Sequence, residues 1–166
     1  MTHNAATGED LVGFTGCDNQ GDTPISQQLT CGARALDYRP RLESDGTVSA
    51  HHGSLFCPVD VLMSTSVQNI INWLAANPDE LVILYVSHFE GSGTVQQQKD
   101  ASAAVLTSLG VDMIRENECA SELAGLTIGD VKARAQLSSG GYLLAVFEVS
   151  CHIQIRERYK IILSIL

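Results

Sequence analysis

The sequence is short of basic residues: 10 Lys and Arg stand against 19 Asp and Glu, which gives a net charge of −9. Proteins that bind nucleic acid, or anionic membranes through a polybasic surface, need clustered Lys and Arg to neutralise phosphates. The charge balance therefore argues against nucleic acid as a partner and against membrane recruitment by a polybasic surface.

Long apolar runs are also missing. The longest candidates, Leu81–Val86 and Tyr142–Val146, have the length of strands, whereas a membrane-spanning helix needs about 20 apolar residues. The start of the chain has no basic segment followed by an apolar core, so no signal peptide is visible. We therefore expect no transmembrane segment in this sequence.

The cysteines form no CxxC pair, so the sequence offers little support for a zinc site. An odd count leaves at least one thiol unpaired if bridges form, and buried free thiols are the simpler expectation. The pair to test first as a disulfide is Cys17 with Cys31, because both flank a turn-rich loop. The five cysteines are Cys17, Cys31, Cys57, Cys119 and Cys151.

What the sequence does have is the composition of a folded domain. It contains 166 residues, 45% of them hydrophobic, enough for one domain that buries roughly two-thirds of its unfolded surface. After a predicted loop over residues 6–23, strands alternate with helices, which indicates an α/β chain with a parallel sheet. The predicted helices are a short one that starts near Pro24 and is ended by Gly32, then Pro58–Ala76, Val95–Leu109 and Thr127 to about Leu137. The predicted strands are Ala33–Tyr38, Thr47–His51, Leu81–Val86 and Tyr142–Val149.

Polar side chains of catalytic types stand at the ends of the predicted strands. Because the carboxyl ends of parallel strands meet at one rim, we expect these groups to converge. Two imidazoles can supply a base and an acid near neutral pH, and an arginine can hold a phosphate oxygen. The set suits phosphodiester cleavage without a metal. Its members are His3 and Asn4, then Asp37 and Arg39, then His51 and His52, and then Ser87, His88 and Glu90.

Each of these residues also has an ordinary structural interpretation. One of two adjacent strand residues faces away from a site, so His51 is more simply a structural or surface residue. Asp37 could serve only as an ion-pair partner of Arg34 or Arg39. His88 is evenly balanced between a site residue and a residue of an ordinary loop. The whole set is therefore more informative than any single member.

Three segments in order resemble the catalytic X region of phosphatidylinositol-specific phospholipases C. They are Thr2–Ala5, the stretch from Ile25 to Arg39 that includes Gly32-Ala33-Arg34-Ala35-Leu36-Asp37, and His51-His52-Gly53. The helix that ends at Asn77-Pro78 and the strand after it continue the similarity, which extends to about Val146. The resemblance implies an α/β fold of the TIM (β/α) barrel type, with parallel strands, helices outside and a site at the carboxyl ends of the strands.

The resemblance also implies roles for individual residues. His3 matches the general base that takes a proton from the inositol 2-hydroxyl, and His52 matches the general acid that protonates the diacylglycerol oxygen. Asp37 matches the carboxylate at the strand end, and Arg39 matches the cation that stabilises charge on the phosphoryl oxygens. The expected products are diacylglycerol and a cyclic inositol phosphate. The candidate substrate-binding residues are Asn4 and His88.

This family has calcium-dependent and metal-free forms, and the sequence is closer to the metal-free bacterial form. Where the calcium-dependent pattern has further acidic residues, this chain has Arg39 and Ser87. Asn4 is a mixed signal, since the bacterial pattern has Asp at that place and the calcium pattern has Asn. We predict no metal requirement and no cofactor, and we expect a phospholipid at a membrane surface as the partner.

The similarity ends after about five strands, whereas a complete barrel typically takes about 250 residues. We therefore expect an incomplete barrel, about its first half, over residues 1–149, and a tail of different character over residues 150–166. Members of the metal-free form are often secreted, which implies a signal peptide outside this chain. Two alternatives stay open: a related phosphodiesterase acting on glycerophosphodiesters or sphingolipids, and an inactive truncated protein that binds a lipid headgroup. The oligomeric state also stays open.

Overall fold

The computed structural model describes residues 1–9, 23–52, 58–115 and 126–147. The helices in these ranges are a 3₁₀ helix (Ala5–Glu9), α1 (Ile25–Thr30), α2 (Met63–Ala76), α3 (Val95–Ser108) and α4 (Ile128–Ala135). The strands are β1 (Ala35–Tyr38), β2 (Pro40–Leu42), β3 (Val48–His51), β4 (Pro58–Leu62), β5 (Leu81–Val86), β6 (Glu90–Gly91), β7 (Asp112–Ile114) and β8 (Tyr142–Phe147).

Several sequence predictions lie outside the described residues. They include the tail at residues 150–166 and most of the loop at residues 6–23, whose first residues form the 3₁₀ helix. Cys31 is exposed and has a free thiol, and Cys17, its predicted disulfide partner, is also outside the described residues.

Four parallel strands form the central sheet, in the order β1-β5-β8-β7. β5 and β8 pair along their whole length, from Leu81 opposite Tyr142 to Val86 opposite Phe147. Most of their side chains are buried, as continuous apolar runs predict for parallel strands covered on both faces. The predicted α/β class with a parallel sheet is confirmed.

The strand order departs from the chain order at one place, because β8 lies between β5 and β7. β7 is not among the predicted strands, and it has only three residues. β8 has six residues and pairs with every residue of β5, so it satisfies the whole edge of that buried strand. β7 pairs instead with the outer edge of β8, from Asp112 opposite Leu144 to Ile114 opposite Val146.

Helices cover both faces of the central sheet. Side chains of α1, α2 and α3 form one hydrophobic cluster with the sheet face that includes Leu84. On the opposite face, Ala135 of α4 belongs to a second cluster with Leu144 and Tyr85. Asp37 stands opposite Tyr85 in the register, so its side chain is on the same face of the sheet as α4.

A second, smaller sheet has the order β4-β3-β2-β6. β2 and β3 form an antiparallel hairpin, and the turn between them contains Gly46 at a φ of 89°. The expectation that Thr47–His51 is a strand of the parallel sheet is therefore wrong, because β3 belongs to this second sheet. The physical reason is the short turn: it joins antiparallel neighbours, whereas a parallel pair needs a crossover of about a dozen residues or more.

The helix predicted from Pro58 begins five residues later, at Met63. The first five residues of the prediction form β4, which pairs with β3, so tertiary pairing overrides the local helical pattern there. α3 and α4 are confirmed close to their predicted bounds, and each begins with a reciprocal capping box, Thr94 with Gln97 and Thr127 with Asp130. Within the described ranges, every helix is too short or too polar to cross a bilayer.

Candidate active site

Asp37 lies at the centre of a polar cluster at the carboxyl end of β1. It is buried, and both of its carboxylate oxygens accept hydrogen bonds. Oδ1 accepts from the Ser87 hydroxyl at 2.9 Å, and Oδ2 accepts from Arg39 Nε and from the backbone N–H of Asn4, each at 3.3 Å. A buried charge needs such partners, because an unpaired one costs several kcal/mol. Asp37 therefore ties three parts of the chain together.

Backbone pairing holds the N-terminal segment beside β1. Thr2 donates its N–H to the Ala35 carbonyl and accepts from the Asp37 N–H, both at 2.8 Å. This pairing places the exposed ring of His3 at the rim, with its Nε2 3.8 Å from Asp37 Oδ2. His3 therefore reaches the site from the N-terminal segment of the chain.

Arg39 connects the His3 ring to the carboxylate. Its Nη2 lies 2.6 Å from His3 Nε2. A guanidinium donates hydrogen bonds and does not accept them, so His3 Nε2 carries a lone pair in this arrangement and the proton of the neutral ring is on Nδ1. Because Arg39 Nε donates to Asp37 as well, imidazole, guanidinium and carboxylate form one hydrogen-bonded unit. The alternative partner of Asp37, Arg34, instead pairs with Glu80 at 2.8 Å.

Backbone strain is concentrated at this cluster. Among the described residues other than glycine, Asn4 and His88 are the two with a positive φ, at 50° and 54°. The left-handed region is uncommon for such residues, although Asn enters it more readily than most. Strained residues persist where surrounding contacts hold them, and they cluster at functional sites. The location of both residues therefore supports a site at this rim.

The side chain of Asn4 adds a second unusual feature. It is buried, and among the described residues neither its Oδ1 nor its Nδ2 has a hydrogen-bond partner. A buried polar group without a partner costs about 1–3 kcal/mol. The backbone N–H of the same residue donates to Asp37, so this amide belongs to the chain segment that borders the cluster.

Ser87 connects Asp37 to His88. It is fully buried, its hydroxyl donates to Asp37 Oδ1, and the same oxygen lies 2.9 Å from His88 Nδ1. Its backbone N–H donates to the Tyr38 carbonyl at 3.0 Å, which brings the ends of β5 and β1 together. The sequence analysis placed Ser87 in the set of strand-end polar residues and noted its departure from the calcium-dependent pattern, but gave it no role in the site. Its position directly after a buried strand was the available signal for a role in the site.

His51 and His52 have different environments at the end of β3. His51 is buried, its N–H donates to the Arg39 carbonyl at 2.9 Å, and its Nε2 donates to the His88 carbonyl at 2.7 Å. Burial lowers the pKa of His51, and its hydrogen bond to His88 and the nearby Glu90 carboxylate act in the opposite direction. His52 is half-buried and directly follows the strand. The structural interpretation of His51 fits these contacts, and a catalytic role for His52 stays a prediction.

Most of the predicted site residues are brought together. His3, Arg39, Asp37 and Asn4 contact one another through the hydrogen bonds described above. His88 joins them through Ser87, which makes it part of the cluster. His52 is one residue beyond His51, directly after the end of β3, and its part in the site stays a prediction.

The space beside Asp37 suits a guanidinium better than a divalent cation. Arg39 Nε lies 3.3 Å from Asp37 Oδ2, and a cation at this oxygen would meet that positive charge directly. Calcium and magnesium prefer several oxygen ligands. Within the described part of the chain, no group of three or more His, Cys, Asp or Glu residues could hold a metal ion. Metal independence itself stays a prediction.

Comparison with known proteins identifies relatives of this chain. Residues 1–113 match the family model PI-PLC X. Two relatives are uncharacterized proteins of Mycobacterium tuberculosis, from strains CDC 1551 and H37Rv. Each is 32% identical to this chain, over 61% of this chain and 22% of the relative. The chain therefore spans about a fifth of the length of these relatives.

Several solved structures of longer proteins superpose on this chain. A mutant of the phosphatidylinositol-specific phospholipase C of Staphylococcus aureus superposes with a TM-score of 0.59 and 14% identity, over 90% of this chain and 48% of that one. The enzyme of Listeria monocytogenes gives 0.54 and 16%, over 89% and 49%. The chain thus corresponds to about half of these barrels, which confirms the predicted incomplete TIM barrel. With more than half of its residues matched by the family model, the chain belongs to the PI-PLC X family.

Proposed function

We propose that this chain provides the acid–base site of a phosphodiesterase that cleaves phosphatidylinositol at a membrane surface. The observation that carries the proposal is the contact of Arg39 with both His3 and Asp37 at the rim. Base, cation and carboxylate are then within reach of one phosphate group. The products would be diacylglycerol and a cyclic inositol phosphate.

Substrate binding would change the partner of Arg39. A phosphate oxygen attracts the guanidinium more strongly than a neutral imidazole does, because its hydrogen bond is assisted by opposite charges. Moving toward the phosphate, Arg39 would release the lone pair on His3 Nε2. That nitrogen would accept the proton of the inositol 2-hydroxyl, and the Asp37 carboxylate at 3.8 Å would stabilise the resulting imidazolium.

The bond changes are those of an internal transfer. The 2-oxygen forms a bond to phosphorus, and the bond between phosphorus and the diacylglycerol oxygen breaks. His52 would give its proton to that leaving oxygen, while Arg39 stabilises the charge on the phosphoryl oxygens. Asn4 and His88 would bind hydroxyls of the headgroup.

The experiment is release of cyclic inositol phosphate from phosphatidylinositol vesicles by the full chain. We expect release that His3→Ala and His52→Ala each reduce by about 100-fold or more, and that a chelator of divalent cations leaves unchanged. His51→Gln keeps an amide donor toward the His88 carbonyl and is expected to retain turnover. Loss of activity in the chelator would contradict the metal-free mechanism. Full turnover by His52→Ala would remove that residue from the proposal.

Headgroup binding without turnover is a second candidate, favoured by the Asn4 amide, which has no hydrogen-bond partner in the described part of the chain. It predicts that the chain binds inositol-phosphate-containing vesicles but releases no product. Binding by the wild type that His3→Ala does not alter, together with the absence of release, would support it. Magnesium-dependent release from glycerophosphodiesters or sphingolipids would instead favour a related diesterase.

A further inference from the structure

Ser87 is a fully buried serine with two polar neighbours for one hydroxyl proton. Its Oγ donates to Asp37 Oδ1 at 2.9 Å and lies 2.9 Å from His88 Nδ1. A carboxylate only accepts hydrogen bonds, and a hydroxyl has one proton to give. Because that proton goes to Asp37, the contact with His88 is a hydrogen bond only when Nδ1 carries a proton and donates to Oγ.

We infer that Ser87 is a positioning residue that fixes the tautomer of His88, with the proton of the neutral ring on Nδ1 and the lone pair on Nε2. The hydrogen bonds then run in one direction, from the His88 ring through the Ser87 hydroxyl to the Asp37 carboxylate. A carboxylate that bonds directly to a histidine orients the ring and selects its tautomer. Here the buried Ser87 hydroxyl lies between the Asp37 carboxylate and the His88 ring. It accepts a hydrogen bond from Nδ1 and so selects the tautomer of the ring.

The backbone of His88 is held in place by a separate contact. Its φ of 54° is strained for a histidine, and its carbonyl is held by His51 Nε2 at 2.7 Å. The ring and the carbonyl are thus held by different residues, Ser87 directly after β5 and His51 at the end of β3. His88 is exposed while Ser87 is buried, so the chain of hydrogen bonds leads from the interior to the surface of the rim.

The tautomer decides which ligand groups the neutral ring can meet. A lone pair on Nε2 accepts a hydrogen bond, so it favours a hydroxyl group and disfavours a fully ionised phosphate oxygen. This step rests on the proposed function. The lone pair on Nε2 makes His88 a specificity-determining residue that recognises a hydroxyl of the polyol headgroup. Arg39 remains the group suited to the phosphate.

The direct test is ¹⁵N NMR of the full chain labelled at its histidines, with His88→Gln used to assign the His88 signals. In the neutral ring we expect protonated Nδ1 and unprotonated Nε2. The opposite tautomer in the wild type would overturn the inference, and this measurement needs neither a Ser87 variant nor catalytic activity.

Variants test the link to Ser87. Ser87→Ala removes the hydroxyl and is expected to shift the neutral His88 ring toward the Nε2–H form, whereas Ser87→Thr keeps the hydroxyl and the wild-type tautomer. Ser102→Ala is the matched control, because Ser102 is equally buried and its hydroxyl donates to the Gln98 carbonyl within α3. An unchanged tautomer in folded Ser87→Ala would contradict the inference. If Ser87→Ala does not fold, the inference is tested by the tautomer of His88 in the wild-type spectrum.

Kinetics separate this inference from the proposed function. On phosphatidylinositol vesicles, we expect Ser87→Ala to raise KM by about tenfold with a smaller change in kcat, and Ser102→Ala to change neither. A wild type that releases no product while showing the Nδ1–H tautomer would refute the proposed activity and leave the positioning role intact. A normal KM for Ser87→Ala with altered tautomer would refute the specificity role of His88.

Discussion

His51 Nε2 lies 2.7 Å from the carbonyl oxygen of His88, and this hydrogen bond joins the smaller sheet to the segment that follows β5 of the parallel sheet. A carbonyl only accepts, so Nε2 carries a proton. In the neutral ring, Nδ1 therefore has a lone pair, 3.4 Å from Glu90 Oε2. The hydrogen bond between the smaller sheet and this segment is thus made by a buried histidine that lies next to a carboxylate.

The folded chain should lose stability as the pH falls below 6.5, the ordinary pKa of histidine. Burial lowers the pKa of His51 in the folded state, so the unfolded chain takes up a proton that the folded chain resists. The free energy of unfolding therefore rises with pH through the interval between the lowered pKa and 6.5, and falls on acidification. Urea unfolding at a series of pH values measures this slope.

His51→Gln is the control for that slope. Glutamine keeps a donor for the His88 carbonyl but does not titrate, so the variant should show a weaker dependence of stability on pH over the same interval. The remaining slope belongs to the other histidines and the carboxylates. Identical slopes in the two proteins would show that His51 is not the responsible group.

Arg39→Lys should reduce turnover of phosphatidylinositol by about 100-fold or more. Lysine keeps the charge, but it lacks the planar set of donors with which Arg39 contacts His3 and Asp37 at the same time. Removing one such donor from developing charge costs about 10²–10³ in kcat. Release of cyclic inositol phosphate from vesicles measures this reduction in turnover. Arg115→Lys, on an exposed arginine 3.9 Å from Asp100, is the matched control and should behave as wild type.

Long, locally determined elements were predictable from the sequence. β5 and β8 are continuous apolar runs, and α3 and α4 carry their own capping boxes, so the signal for each lies within the element. The convergence of Asp37 and Arg39 with His3 was also predictable, because strand ends meet at one rim. These predictions needed no knowledge of which strand is next to which.

Elements whose stability comes from distant partners were not predictable in this way. β4 and β7 are short, and each exists through its pairing with another strand, while its own residues give only a weak pattern. The role of Ser87 was not predicted for a similar reason. Its importance comes from hydrogen bonds to Asp37 and His88, and an isolated serine after a strand has many ordinary interpretations.

Gly141→Ala should destabilise the fold by about 1–3 kcal/mol. Gly141 has a φ of 74°, and a Cβ there would lie 2.8 Å from Leu74 Cβ and 3.0 Å from the Leu74 carbonyl oxygen. The substitution therefore combines backbone strain with a clash between the start of β8 and the end of α2. Chemical unfolding of the variant measures the loss.

Gly110→Ala isolates the backbone part of that effect. Gly110 has a φ of 71°, and a Cβ there would meet no atom within 4 Å. Its substitution should cost only about 1 kcal/mol, the usual difference between alanine and glycine in the left-handed region. If Gly141→Ala costs no more than Gly110→Ala, the close packing against Leu74 contributes nothing to stability.

Asn4→Gly and Asn4→Ala should separate binding from stability at the rim. Both remove the buried amide, which has no hydrogen-bond partner within the described ranges, so neither loses a side-chain hydrogen bond there. If that amide binds the headgroup, both should raise KM for phosphatidylinositol by about tenfold. Glycine adopts the φ of 50° freely, whereas alanine is strained there. We therefore expect Asn4→Gly to be more stable than Asn4→Ala by about 1 kcal/mol. Urea unfolding and vesicle kinetics measure the two effects independently. A wild-type KM in both variants would show that the Asn4 amide does not contact the substrate, whatever their stabilities.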